Sequence, residues 1–524
     1  MASEDERDPD SQPEETDPGD EAAPIIGGGM RPPVAEARSA SGQEPATDEL
    51  PAREAEAFLV PSWTEGVAVE AVAEKPDRSR RLIREIIETA LLALLVFLAV
   101  RASLQNYLVE GPSLPTLETF SAFKSRPFTY LWINTMSFAL VQATQRFAFV
   151  WLVIEGVERG GLGLGAGATG MVAFALGVPV LFVTIPAGVL ADRMDRRTLV
   201  LGSQLVAVGV TFAAGVILLA GEMTTVIAML LAAGVGATIA VGLPVRNAIV
   251  PTVVERDTLL KAIVMMSMAM NVSQIVGAGL GGLAIAIWGI GGAFVAQGVV
   301  LLIGTLALVP LRVPRAREAA EHRAPMQDLL DGLRFVWRHQ GIRTLILLLA
   351  GSGIFMIGPF TSLLPLIAKE ELGREALQSS LLFVFMGLGM TISSLGLASL
   401  PDLKNKGGWF IGSLMMGGFT LVVIGLSPWY ALTATVMFTG GMAGGFFMNL
   451  NQTLVQANSP HEMMGRVVGI HTLAFQGIGP FGGLLAGLLA AQMGAPLWMA
   501  ISGAVLFCLA SMTLATQPSL RKME

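Results

Sequence analysis

"GVLADRMDRR" (Gly188–Arg197) packs three arginines and two aspartates into ten residues, between two uncharged runs of more than twenty residues each. About twenty apolar residues make a helix long enough to cross the hydrocarbon of a bilayer. A charged decapeptide between two such runs reads as the tight turn of a membrane hairpin. Arg193, Arg196 and Arg197 put that turn on the cytoplasmic side, where lysine and arginine accumulate. Gly188 lets two helices approach closely. Asp192 sits where a carboxylate can meet a helix N-terminus, an interaction worth about 0.3–1 kcal/mol.

The same pattern extends over most of the chain. Only 14% of its 524 residues are charged, 53% are hydrophobic and the mean hydropathy is +0.62. A soluble domain carries roughly 25% charge, so this much apolar surface predicts an all-α, multi-spanning membrane protein. No segment alternates with period two, which argues against a β-barrel. Thirteen apolar segments can be marked: near 86–104, then near 128–154, 169–190, 198–220, 224–247, 262–289, 291–311, 344–368, 378–400, 409–427, 429–453, 466–492 and 495–515. With the first of the later twelve starting inside, the inner loops collect Arg256, Lys261, Lys404, Lys406 and Arg466 besides the three arginines above, and both ends of the twelve-span unit are cytoplasmic.

Five regions follow: an acidic tail (1–79), an anchor fragment (80–122), a six-helix bundle (123–312), a cytoplasmic linker (313–343) and a second six-helix bundle (344–518). Residues 1–56 alone hold 16 acids and 4 arginines, a net of −12, so the rest of the chain is net +5. A tail so charged and so poor in aromatics cannot bury enough apolar surface to fold and is predicted to be disordered. In the linker, "MQDLLDGLRFVWRHQ" places Leu329, Leu330, Leu333, Phe335, Val336 and Trp337 largely on one face, which predicts an amphipathic helix lying along the inner leaflet. The two bundles also look duplicated. The stretch beginning at Arg246 can be laid over the stretch beginning at Asn451; the shift of 205 pairs Asp257 with Glu462, Lys261 with Arg466 and Gly277 with Gly482. Duplicated halves place a transport site at their interface.

At its place between the second and third spans of the unit, "GVLADRMDRR" resembles the signature loop of the major facilitator superfamily, and residues 123–518 resemble its drug and siderophore exporter branch. The resemblance implies twelve helices in two six-helix bundles, export of small amphiphilic molecules by alternating access, and proton antiport. It makes Gly188, Asp192, Arg193, Arg196 and Arg197 a conformational-switch motif; on the dipole argument above, the helix opening near Gly465–Arg466 is the candidate partner of Asp192. The arginines either pair with carboxylates of the opposite bundle or with anionic lipid, or only set topology. "GAGLGG" (Gly277–Gly282, including Gly281) and "GIGPFGG" (Gly477–Gly483, with Gly479, Pro480 and Gly482) resemble the glycine-rich antiporter signature. Generic close packing of helices explains them equally well. The expected partners are a small-molecule substrate, the lipid bilayer and protons. The expected form is a monomer in the plasma membrane.

Polar residues inside spans are expensive, about 2.5–3.5 kcal/mol for a charge at a helix centre, so they mark candidate sites. Gln142, Gln145 and Arg146 share one face of the first span at i, i+3 and i+4. That face either lines a central pathway or lets Arg146 snorkel to the outer interface. Asn271, Gln274, Asn451, Gln452 and Gln476 are further lining candidates, each also readable as a helix–helix hydrogen bond. No Asp or Glu lies clearly mid-span in the twelve helices, so antiport lacks an evident mid-span carrier: either Asp192 or Glu155 at a span end serves, or export is facilitated or coupled to another ion. The four histidines are scattered without metal spacing, and the single cysteine, Cys508, excludes an internal disulfide. No P-loop is present, so neither direct ATP drive nor any other cofactor is expected, and no nucleic-acid partner.

One competing function comes from the front of the chain. "RRLIREIIETALLALLVFLAVRASLQNYLVEGPSLPTLE" (Arg80–Glu118) resembles the anchor and nucleophile box of type I signal peptidases, with Ser113 at the nucleophilic serine. A serine hydroxyl needs a base. Here neither a following β-rich domain nor its lysine is found, and Lys124 introduces a membrane helix instead. A membrane serine peptidase is therefore disfavoured, Ser113 reads as a remnant, and no enzyme activity is expected.

Overall fold

The computed structural model describes residues 122–255, 257–311, 325–399, 403–521 and 523. The segment 86–104, Ser113 and the acidic tail lie outside them. The described chain is helical with no strand among its described residues. Its long helices are α1 (Arg126–Ile154), α2 (Ala166–Arg193), α3 (Arg196–Leu219), α4 (Thr225–Val253) and a fifty-residue helical stretch, Leu259–Leu308. After it come α7 (Pro325–Arg338), α8 (Gln340–Glu370), α9 (Ala376–Ser399), α10 (Lys406–Leu426), α11 (Tyr430–Ala457), α12 (Met464–Met493), α13 (Ala495–Thr516) and a last short turn, α14 (Pro518–Arg521).

Fifty residues of straight helix would be about 75 Å long, far beyond a bilayer. Gly289 breaks the stretch with φ 71° and ψ 177°, a left-handed φ that glycine adopts without steric cost. The contacts with α1 show that the chain reverses there. Going up α1, Trp132 donates to the Met265 carbonyl (3.0 Å) and Thr144 to the Gly277 carbonyl (2.9 Å). Coming back down, Phe294 packs edge-on against Phe149 with centroids 4.9 Å apart, and Asn134 donates to the Gly304 carbonyl (3.0 Å). The stretch is therefore two crossings, α5 (259–288) and α6 (290–308). Twelve crossings result among the described residues, six on each side of α7.

The ends bearing the basic turns are called inner below. Among the described residues, the two bundles share a buried apolar cluster only toward the opposite, outer ends. One apolar cluster there mixes residues of both, from Phe147 and Trp151 on α1 to Leu363 on α8 and Ala486 on α12. At the inner ends the core divides in two: Phe128, Leu131 and Ile249 anchor the N-terminal cluster, and Leu345, Phe410 and Phe447 the C-terminal one. Small residues make the outer union possible. On α2, a Cβ at Gly170 would press on the Gly483 carbonyl (2.8 Å) and the Gly487 Cα (2.8 Å) of α12, and one at Gly177 would collide with Pro480. On α5, a Cβ at Gly282 would collide with the Ser380 hydroxyl of α9. In water such backbone contact would be incidental, but in lipid it is the attraction itself.

α7, the linker helix expected along the inner leaflet, is also packed on protein. Its apolar face is shared between two surroundings. Val336 is buried and Leu329 and Phe335 pack on the C-terminal inner core, whereas Leu330, Leu333 and Trp337 stay exposed. Gly332 lies against Arg466 and Ile470 of α12, and Asp331 pairs with Arg466 at 3.9 Å. The linker helix thus travels with the C-terminal bundle.

Candidate functional site

Four polar groupings stand out, one in each bundle interior, one joining α1 to α5 in the N-terminal bundle and one at the outer rim. In the N-terminal bundle the centre is Arg246 of α4, only 1% exposed. Its Nε donates to Asn134 Oδ1 of α1 (2.9 Å), its Nη2 to Gln204 Oε1 of α3, and its guanidinium carbon lies 3.8 Å from the centroid of the Phe138 ring. Gly242, one turn earlier, makes the room: a Cβ there would collide with Nη1. No carboxylate takes part among the described residues, and Nη1 has no hydrogen-bond partner. Burying a charge this way costs several kcal/mol before compensation. Two charge-assisted hydrogen bonds and a desolvated cation–π contact, worth about 2 kcal/mol, offset part of it. Asn134 passes the link on to the Gly304 carbonyl of α6, so one side chain ties four helices together.

The C-terminal bundle has a different centre at the matching place. Asn451 of α11, 1% exposed, donates from Nδ2 to the Leu345 carbonyl of α8 (3.3 Å), and its Oδ1 lies 2.7 Å from His471 Nε2 on α12. The shift of 205 lays Arg246 on Asn451. His471 is half-buried and precedes a π turn, Leu473–Gly477, in α12. A second π turn, Gly353–Ile357, interrupts α8. There a Cβ at Gly482 would press on Ile354 (2.6 Å). Such turns break the regular ladder and are frequent at functional places.

Along its outer half, α1 is buried at every residue from Val141 to its C-cap Glu155 except Arg146, which is exposed. Its Nη1 approaches Gln274 Oε1 of α5 at 3.5 Å, and Gln274 Nε2 approaches Gln142 Oε1 at the same distance. Asn271 is exposed about 18 Å into α5 from its inner end, counting 1.5 Å per residue. Gln452 is exposed and Gln476 half-buried. Gln145 does not join this group: it is buried and donates to Thr211 of α3 at 2.8 Å.

At the outer rim, Lys369 of α8 reaches across to α1. Its Nζ is 2.5 Å from the Ile154 carbonyl and 3.1 Å from Glu155 Oε1, and it lies 5.7 Å from the Trp151 ring centroid. Both charged side chains are mostly buried. A second, exposed pair joins Arg159 to Glu375 at 3.6 Å. The Lys369–Glu155 and Arg159–Glu375 pairs and the Phe147–Phe383 and Phe174–Phe481 ring contacts, which join the bundles, lie between the outer ends and mid-helix.

The signature turn is partly described. Gly188, Asp192 and Arg193 lie at the inner end of α2, and their side chains are outside the described set. Asp195 is the N-cap of α3, accepting from the Thr198 amide (3.3 Å) and hydroxyl (2.9 Å). Arg196 donates to the Ala248 carbonyl of α4 (3.0 Å) and Arg197 to the Val309 carbonyl at the end of α6 (2.6 Å). Both arginines therefore engage backbone carbonyls of their own bundle, where the helix dipole favours a cation. Of the glycine-rich pair, Gly277 and Gly281 face Ala143 and Thr144 of α1, Gly282 faces α9, Gly479 and Gly482 face α8, Gly483 lies 3.5 Å from Ala173 of α2, and Pro480 faces α2.

Arg246 and His471 are missing from the candidates read from sequence. Arg246 fell at the end of a span drawn to 247, whereas α4 continues to Val253, and the glycine one turn before it was the available signal. His471 is a histidine inside a span, a signal set aside because it fits no metal spacing.

The Major Facilitator Superfamily family model matches residues 131–483. Among curated proteins, the chain is 28% identical over 361 residues to the multidrug efflux pump Tap of Mycolicibacterium fortuitum, covering 66% of this chain and 85% of that one. It is 21% identical over 408 residues to macrolide efflux protein A of Streptococcus pyogenes, covering 75% and 96%. Among solved structures, a POT family transporter in complex with a thioalcohol conjugated peptide superimposes with a TM-score of 0.62 at 13% identity, over 76% of this chain and 97% of that one. The nucleoside transporter NupG gives 0.61 at 13% identity, over 74% and 98%.

Proposed function

This chain belongs to the major facilitator superfamily, a multi-pass membrane transporter rather than an enzyme, and on that premise we propose that it exports small amphiphilic molecules of the kind its multidrug and macrolide efflux relatives are named for. We infer further that it works as a monomer in the plasma membrane, by alternating access coupled to protons. The observation that carries this reading is the division of the core: shared between bundles at the outer ends, separate at the inner ends. A polar side chain exposed deep in a span is costly against lipid. Arg146 and Asn271 are exposed at depth, which fits a wet cleft entered from the inner side.

In this reading, substrate enters from the cytoplasm or inner leaflet and meets Gln142, Arg146 and Gln274. Asn271, Asn451, Gln452 and Gln476 belong to the walls of the same pathway. Outward release requires the Lys369–Glu155 pair and the α2–α12 and α5–α9 seams to part. The signature turn, Gly188 to Arg197, works at the inner ends, where Arg196 and Arg197 brace α3 against α4 and α6 while the bundles rock. Glycines 277, 281, 282, 479, 482 and 483, with Pro480, keep the seams close enough to close. The test is accumulation of a macrolide, erythromycin, and of ethidium in cells with and without the protein, with an uncoupler as control. Lower accumulation that the uncoupler reverses is expected. Equal accumulation of both probes removes the export reading.

A further inference from the structure

We propose that His471 is the proton-binding group of the C-terminal bundle, held by Asn451 so that Nδ1 takes a proton and gives it up to the inner side. The proposal rests on the antiport reading and supplies the carrier that it lacks, since no carboxylate lies mid-span in the twelve helices.

The hydrogen bonds settle the ring's chemistry. The Leu345 carbonyl can only accept, so the Asn451 amide nitrogen must face it, and Asn451 Oδ1 must face the imidazole. Nε2, at 2.7 Å, is then the donor. Neutral His471 is the Nε2–H tautomer with a free lone pair on Nδ1. Adding H⁺ at Nδ1 breaks no bond and converts the Nε2–H···Oδ1 contact into a charge-assisted one, which is stronger. Release returns the same neutral ring, so no co-reactant is needed. Imidazole is the side chain whose ordinary range falls between pH 5 and 8.

The charges near the site leave this role open to it. On α12 itself the other charge is Arg466, which pairs with Asp331 of α7. α7 also brings Arg334, bound to Asp331 at 3.3 Å, and Arg338. α8 brings Arg343 near its inner end, donating to the Trp337 carbonyl. α11 carries no charged residue, and α2, which meets the π turn beyond His471, carries Asp192 and Arg193 at its inner end. The imidazole also lies only about 10 Å from the inner end of α12 by helical rise, on the side where the bundles' cores are separate.

The experiment uses the full chain. Histidine-selective ¹⁵N spectra in nanodiscs are recorded from pH 5 to 9 for the wild type, His471→Gln, whose amide can still donate to Asn451, and Asn451→Leu. One titrating imidazole is expected to vanish in His471→Gln and to shift its midpoint in Asn451→Leu. In proteoliposomes, erythromycin uptake driven by a pH gradient is expected to fall at least tenfold in His471→Gln. Counterflow at equal pH should change no more than twofold. Full gradient-driven uptake in His471→Gln overturns the proposal, as does a wild type whose imidazole does not titrate. A wild type that moves erythromycin but ignores the gradient removes antiport and this role together. If the wild type moves no erythromycin, the export reading fails by itself. Maleimide labelling of Gln452→Cys in a Cys508→Ser background then decides for His471: labelling that follows its titration supports the site, and pH-independent labelling overturns it.

Discussion

The two bundles put different chemistry at one pseudo-symmetric place. Arg246 in the first is a permanent cation, sealed from solvent and held by neutral amides and a phenyl ring, with Nη1 left unpartnered. Asn451 in the second is an uncharged amide that hands its oxygen to a half-buried histidine. A fixed charge on one helix held by three neighbours on two others makes a rigid body, because moving any of them strands a guanidinium. An amide–imidazole pair costs less to disturb, and its charge follows pH. The N-terminal bundle is thus built as the stator and the C-terminal bundle, which also carries the linker helix and both π turns, as the part that responds.

The largest effect that can break this comparison is on stability. Arg246→Ala leaves Asn134 Oδ1 and Gln204 Oε1 without their donor and opens a cavity. At about 1–3 kcal/mol per stranded group, a loss of roughly 3 kcal/mol or more is expected, read as a large fall in the Tm of the purified protein. Asn451→Ala should cost about 1 kcal/mol by the same assay. Equal losses would erase the distinction between the hubs. Next in size is the outer rim. Lys369→Met removes a mostly buried pair that joins the bundles, and about 1–2 kcal/mol should shift the balance toward the outward-open form by roughly 5- to 30-fold. Cysteine labelling from outside would report it. Glu155→Gln should do nearly the same, and the double variant little more; additive effects would show that the two side chains act separately. The smallest test separates neighbours on α1. Gln145→Ala should lose about 1 kcal/mol of stability with its Thr211 bond and keep its erythromycin affinity. Gln142→Ala should keep its Tm and weaken transport. The reverse pattern would move the pathway to the other side of α1.

That last pair shows where sequence reasoning stopped. Gln142, Gln145 and Arg146 share a helical face, yet consecutive residues on a helix point about 100° apart. On a helix surrounded by neighbours, that angle is enough to send Gln145 into the bundle and Arg146 into the open. The reversal at Gly289 was legible because fifty apolar residues exceed any bilayer. Arg246 was not, because a span boundary drawn six residues short made a buried cation look like a residue at a helix end. The amphipathic linker was legible as a helix, but which half of its apolar face would find protein and which would stay exposed was not written in its periodicity.

Hydropathy, basic turns and the Gly188–Arg197 signature determined by themselves that this chain carries a transporter unit of twelve spans in two related halves, because crossing lipid imposes length and charge rules that each segment obeys locally. The tertiary structure alone decided that Arg246 lies sealed among amides, that Asn451 meets His471, and that Lys369 closes on Glu155. Those pairings join residues 20 to more than 200 positions apart, and only the packing of whole helices brings them within hydrogen-bond reach.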